Sequence, residues 1–231
     1  MKIKIVGAAG GEVTGSAYFV QTDHARVLVD AGMFQGGKKS EVKNRLPSGV
    51  NLSKLDAVLL THAHLDHTGR VPLLIKHGYT GRIYATAATI ELAELILEDS
   101  ARLQVHEAER TNRRRNVSLQ GPVEPLYTPE DVVPFRQMAR AVQFREPVEV
   151  ANGISARWIE AGHILGSASL ELTVKEDGRS STAFGPLAVP CWFQSSPGVP
   201  QESAHWHQLA RRWDASRPES ARPFPGHRHR R

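Results

Sequence analysis

The 231-residue chain has a single cysteine, Cys191. That excludes an intramolecular disulfide and is compatible with a cytoplasmic location, the one expected here. Long apolar runs are missing: none approaches the roughly 20 residues that a helix needs to cross a bilayer, so no membrane span is expected. The opening MKIKIVGAAGGEVTG lacks the longer apolar core and cleavage pattern of a signal peptide and reads as a first β-strand. A general excess of positive charge is missing too, despite a net charge of +5. Residues 1–178 carry 21 Lys+Arg against 21 Asp+Glu, and residues 179–231 carry 8 against 3. The whole excess sits in the tail, so the basic pI gives no support for a general RNA-binding surface on the body.

The length suits one domain, or one domain plus an appendage. Residues 2–6 and 17–21 alternate apolar and polar side chains as half-buried strands do. RVLVD (26–30) and DAVLLT (56–61) read as more buried strands, and residues 82–85 as a short one. Residues 38–50 are polar and turn-rich, as expected of a surface excursion. From Ala87 to about Arg113, Ile90, Ala93, Ile96, Leu97, Ala101 and Val105 follow helical spacing, which predicts a long amphipathic helix. Arg113, Arg114 and Arg115 suit the negative end of its dipole. Residues 129–142 form a second helical candidate, interrupted near Pro134. Strand character returns at 154–160 and 167–174.

The character changes after Gly178. The tail holds half of the prolines and three of the four tryptophans, Trp192, Trp206 and Trp213, with no sustained period of 2 or 3.6. Such a segment buries too little apolar surface to offset its ordering entropy. We therefore expect a domain over residues 1–178 and a disordered basic tail over 179–231.

The strongest chemical signal is THAHLDHTG (61–69). His62, His64, Asp66 and His67 fall within six residues, directly after a buried strand. A strand end followed by a tight loop can aim alternate side chains into one cleft. Imidazole nitrogens and a carboxylate oxygen form a donor set suited to zinc. Packing does not explain three histidines and an aspartate, because such groups are costly to bury without partners. Taken alone, His163 reads as a core histidine and Asp30 as a strand-end turn cap. His24, His77 and His106 read as surface residues.

HAHLDH resembles the HxHxDH motif of the metallo-β-lactamase superfamily. GGEVTGSAYFV (10–20), VLVDAGMFQG (27–36) and AGHILGSASLEL (161–172) resemble, in order, segments of its β-CASP ribonuclease branch, whose members include the mRNA 3′-end-processing endonuclease. The likeness covers about residues 2–177. It implies an α/β fold, the N-terminal part of an αββα sandwich. It implies that His62, His64 and His163 bind a first zinc ion and that Asp66 and His67 bind a second. Asp30 would be the carboxylate that orients the ligands, and Asp66 would also steer the attacking water. Intact members use two zinc ions to hydrolyse RNA phosphodiesters.

The family pattern continues with a Ser-Gly-Asp strand whose Asp bridges the metals, an inserted domain and a final histidine. This chain does not show that pattern after Gly178. Asp214, His205, His207, His227 and His229 lie in unmatched surroundings. A shift of reading frame after about residue 178 accounts for the break, and a natural C-terminal extension is the other account. The expectation is a metal-dependent hydrolase of ribonuclease lineage that binds at most about one zinc ion and has little activity. The alternatives are a thioester or lactam hydrolase of the same fold and an inactive zinc-binding fragment.

Overall fold

The computed structural model describes residues 1–8, 14–37, 42–114, 121–176 and 179–185. Two sheets lie face to face. The first has the order β1 (Lys2–Ile5), β2 (Tyr18–Gln21), β3 (Arg26–Val29), β4 (Ala57–Leu59), β5 (Arg82–Thr86), β6 (Ala139–Val142). Its first three strands are antiparallel and β3 to β6 are parallel. The second sheet is antiparallel, in the order β10 (Arg179–Gly185), β9 (Ala168–Glu176), β8 (Ile154–Glu160), β7 (Val148–Ala151).

Alternation along the strands builds two cores. Leu28, Val58, Ile83 and Ala85 face the helices. Val27, Val29, Ala57 and Leu59 face the second sheet, which answers with Ile154, Ala156, Trp158, Leu170 and Leu172. The helices are α1 (Leu65–Thr68), α2 (Val71–Lys76), α3 (Ala87–Arg114) and α4 (Pro129–Met138). The long helix α3 buries Ile90, Ala93, Leu97 and Ala101, the stripe its sequence predicts. The described residues thus form three layers, helix, sheet and sheet, of the expected αββα sandwich.

Three readings need correction. The second helical candidate ends at Met138, and residues 139–142 are strand β6, paired in parallel with β5. Pro134 sits inside α4 without ending it. Tertiary pairing prevails here over a short, ambiguous local pattern. The expected boundary near Gly178 falls within a hairpin, because β10 pairs with β9 from Arg179↔Glu176 to Gly185↔Leu170. The composition of the long tail masked these first residues, where Thr182 and Phe184 suit a strand. Trp192, Trp206, Trp213, Asp214, His205, His207, His227 and His229 lie outside the described residues, as does Arg115.

Helices follow the carboxyl ends of β4 and β5. In open parallel sheets that is where ligand sites form. No described helix is long and apolar enough to cross a membrane.

Candidate metal centre

The centre begins where β4 ends. Residues 61–64 form a loop with bends at Thr61 and Ala63. Ala63 is buried in the helix-facing core, and His62 and His64 turn the other way. His64 then leads into α1, a single turn that places Asp66 and His67 side by side. The His67 N–H donates to the His64 carbonyl at 2.9 Å, and the Thr68 hydroxyl donates to the same oxygen at 3.0 Å.

His163 arrives from the other sheet, on the loop between β8 and β9. Ser167 shapes that loop: its hydroxyl oxygen accepts from the N–H groups of His163 and Ile164 at 3.0 and 3.1 Å. The Ala168 N–H donates to the Thr61 carbonyl at 2.9 Å, which ties the loop to β4. The hydroxyls of Thr86 and Thr89 donate to the Gly166 carbonyl at 2.7 and 2.9 Å. Gly166 has φ +80°, and a Cβ there would lie 2.6 Å from the Thr89 nitrogen. Only glycine fits both the torsion and the approach.

These contacts bring three imidazoles together. His62 Nε2 and His163 Nε2 each lie 3.2 Å from His64 Nδ1. One ligand atom from each of the three falls within 4.8 Å of the others, a grouping that can hold a metal ion. His62 is buried, and His163 is the most exposed of the three. Asp66 and His67 form a second, adjacent group. Asp66 Oδ2 is 3.8 Å from His67 Nε2, and the rings of His62 and His67 have centroids 4.0 Å apart.

Asp30 lies beneath both groups, fully buried, with φ 56°. His67 Nδ1 is 2.7 Å from its Oδ2, and the Thr61 N–H donates to its Oδ1 at 2.9 Å. In the neutral ring this contact assigns the His67 proton to Nδ1 and leaves the Nε2 lone pair free for a metal. The electrostatics of the two groups differ. Burial, followed by the nearby His67, His64 and His163, pulls His62 down to about 2, so its ring stays neutral. Burial and His163 lower His64 as well. Burial also opposes charge on His67, but Asp30 and Asp66 outweigh it and raise the group above 6.5.

Sequence reasoning passed over three supports of this site. Thr61 touches Asp30 and His62, and its place before the first histidine was the available signal. Gly32 lets the strand-end loop meet α1, since a Cβ there would lie 1.6 Å from the Asp66 carbonyl oxygen. Arg70 is buried and lowered to about 10 by that burial. Its guanidinium donates to the carbonyls of Gly32, Arg45 and Gly15 and stacks 5.0 Å from the Phe34 ring centroid. It thereby ties together the loops behind the centre. His24, His77 and His106 are exposed, as expected.

Two packed sheets that gather histidines from the ends of β4 and β8 above a buried carboxylate form the framework of a metal-binding hydrolase fold. The family model of the metallo-beta-lactamase superfamily matches residues 10–155, and the chain belongs to that superfamily. Among curated proteins, it is 39% identical over 187 residues to Ribonuclease TTHA0252 of Thermus thermophilus, a match covering 81% of this chain and 38% of the relative. It is 36% identical over 160 residues to the Transcription termination factor FttA of Cenarchaeum symbiosum, covering 68% of this chain and 23% of that protein. The chain thus spans well under half the length of these relatives. Among solved structures, a metallo-beta-lactamase of Cronobacter sakazakii with a HARLDQ motif aligns with TM-score 0.47 and 20% identity. That alignment covers 93% of this chain and 74% of the other.

Proposed function

We propose that this chain carries the metal centre of a zinc-dependent hydrolase in the β-CASP ribonuclease lineage, acting on RNA phosphodiesters in the cytoplasm. One observation carries the reading: three imidazole nitrogens meet beside an Asp66–His67 pair, above one buried carboxylate. The matches to a ribonuclease and to transcription termination factors support RNA as the substrate class.

The donor set fits zinc. Neutral imidazole nitrogens and a carboxylate are its ordinary ligands, and a ring kept uncharged by burial keeps its lone pair for a metal. His62, His64 and His163 would hold the first ion, and Asp66 with His67 the second. Zinc bound there supplies Lewis acidity towards a phosphoryl oxygen and makes a nearby water more acidic. The protein's own groups do the rest. Asp30 orients His67 directly, Asp66 can take a proton at Oδ2, and the walls of β4 and the β8–β9 loop keep the rings from turning. The second group has two protein donors among the described residues, so it should bind zinc more weakly than the first.

Metal analysis of the purified chain should find about one zinc ion, as three close donors with an open position allow. RNA cleavage should be slow and should disappear in Asp66→Ala. A chain that takes up no zinc and leaves RNA untouched would sink this reading. Loading with two ions, with cleavage lost in Asp66→Ala, would show that residues outside those described complete the second group.

A further inference from the structure

We propose that the Thr61 hydroxyl is a positioning group that sets the tautomer of His62 and so aims the His62 Nε2 lone pair into the cluster. This deepens the metal-centre reading and rests on it.

Thr61 Oγ1 lies 3.0 Å from Asp30 Oδ2 and 3.1 Å from Oδ1. It also lies 3.0 Å from His62 Nδ1. A hydroxyl has one proton to donate and lone pairs to accept with, whereas an ionised carboxylate can only accept. The hydroxyl proton therefore goes to Asp30. The oxygen is then free to accept, and the His62 contact is satisfied only if Nδ1 carries the ring proton. In a neutral imidazole that leaves Nε2 unprotonated, and this is the atom 3.2 Å from His64 Nδ1.

Water cannot readily replace the hydroxyl, because His62 is 1% exposed and Thr61 and Asp30 are fully buried. A valine at 61 would keep the shape and the stiff χ1 of a β-branched side chain but remove the acceptor. The His62 Nδ1–H would then be buried without a partner, and the other tautomer would be favoured, with its proton pointing at His64. His67 provides the internal contrast. Its Nδ1 reaches Asp30 directly at 2.7 Å and lies 3.4 Å from Thr61, so it does not depend on the relay. One carboxylate thus orients both groups, His67 by contact and His62 through Thr61.

The test reads the tautomer without metal. In the metal-free full chain with ¹⁵N-labelled histidine, long-range proton–nitrogen spectra at neutral pH should show His62 protonated at Nδ1. Thr61→Ser should keep that tautomer. Thr61→Val should shift it towards Nε2–H and leave His67 unchanged. In competition with a chromophoric chelator, Thr61→Val should bind zinc more weakly by about 10- to 100-fold, the usual cost of losing a partner behind a ligand, and Thr61→Ser should recover it. An Nε2–H His62 in the wild-type chain would overturn the proposal even if the valine variant did not fold. A folded Thr61→Val with unchanged tautomer and zinc affinity would overturn it as well. A wild-type chain that binds no zinc would instead refute the metal reading, and the tautomer measurement would still decide the role of Thr61.

Discussion

The two donor groups of the centre are neighbours built in different ways. Asp66 and His67 are adjacent in sequence and share a single turn of helix, so local structure brings them together. His62, His64 and His163 come from both sheets, with His64 and His163 lying 99 positions apart. The Asp66–His67 group pairs a carboxylate with an imidazole whose affinity for a proton Asp30 and Asp66 increase. In the three-histidine group, burial and mutual proximity hold His62 and His64 below the usual imidazole value. Rings held neutral, as His62 and His64 are, can accept a cation at once, whereas His67 must first be without its extra proton. The contrast shows how one buried carboxylate can serve two sites, by direct contact on one side and through a hydroxyl on the other.

The sharpest way to break the comparison is to remove one histidine from each group. His62→Ala should abolish zinc binding, whereas His67→Ala should leave about one ion bound with RNA cleavage lost. Loss of all zinc in both variants, by metal analysis, would make the two groups a single site. Asp30→Asn should touch both groups, weakening zinc binding by about 10- to 100-fold in chelator competition. An unchanged affinity would mean that packing alone holds the rings.

The loop carrying His163 can be tested for stability. Gly166→Val introduces a side chain at positive φ against the Thr89 backbone. It should lower unfolding free energy by about 2 kcal/mol in urea titration. A variant as stable as wild type would show that the β8–β9 loop yields easily.

Acid should separate the groups in the metal-free chain. The folded His62 stays neutral down to about 2, while in the unfolded chain it takes up a proton near 6.5. The unfolded state therefore binds more protons across that interval, and stability falls as pH drops below 6.5. His67 has the opposite sign. Its folded value is raised, so its contribution is complete below 6.5 and fades as pH rises through the folded value. Denaturation midpoints at about pH 7.5 and about pH 5.5 should show a loss at the lower pH, smaller in His62→Asn and larger in His67→Asn. Equal midpoints in the wild-type chain would remove the distinction.

The smallest effect is expected far from both groups. Arg113 and Arg114 end α3, where they suit the helix dipole. Replacing them and Arg115 with Gln should leave RNA affinity and its salt dependence nearly unchanged. A large fall in both would extend the working surface to that helix end.

Periodicity and ligand spacing made much of this protein legible. The β4 strand, the long helix α3 and the histidine run after β4 are local features: alternation, a 3.6-residue stripe and donors within one turn need no distant partner to be seen. The role of His163 came from the likeness of its segment to a family, because a single histidine after a strand has no local sign of its destination. Tertiary structure alone decided the rest. Strand β6 exists because β5 offers an edge to pair with, and β10 because β9 does. Thr61, Gly32 and Arg70 matter through atoms brought near from residues 25 to 55 positions away. Hydrogen bonds and close backbone approaches of that kind depend on distances that only the packed sheets set, and one-dimensional spacing does not encode them.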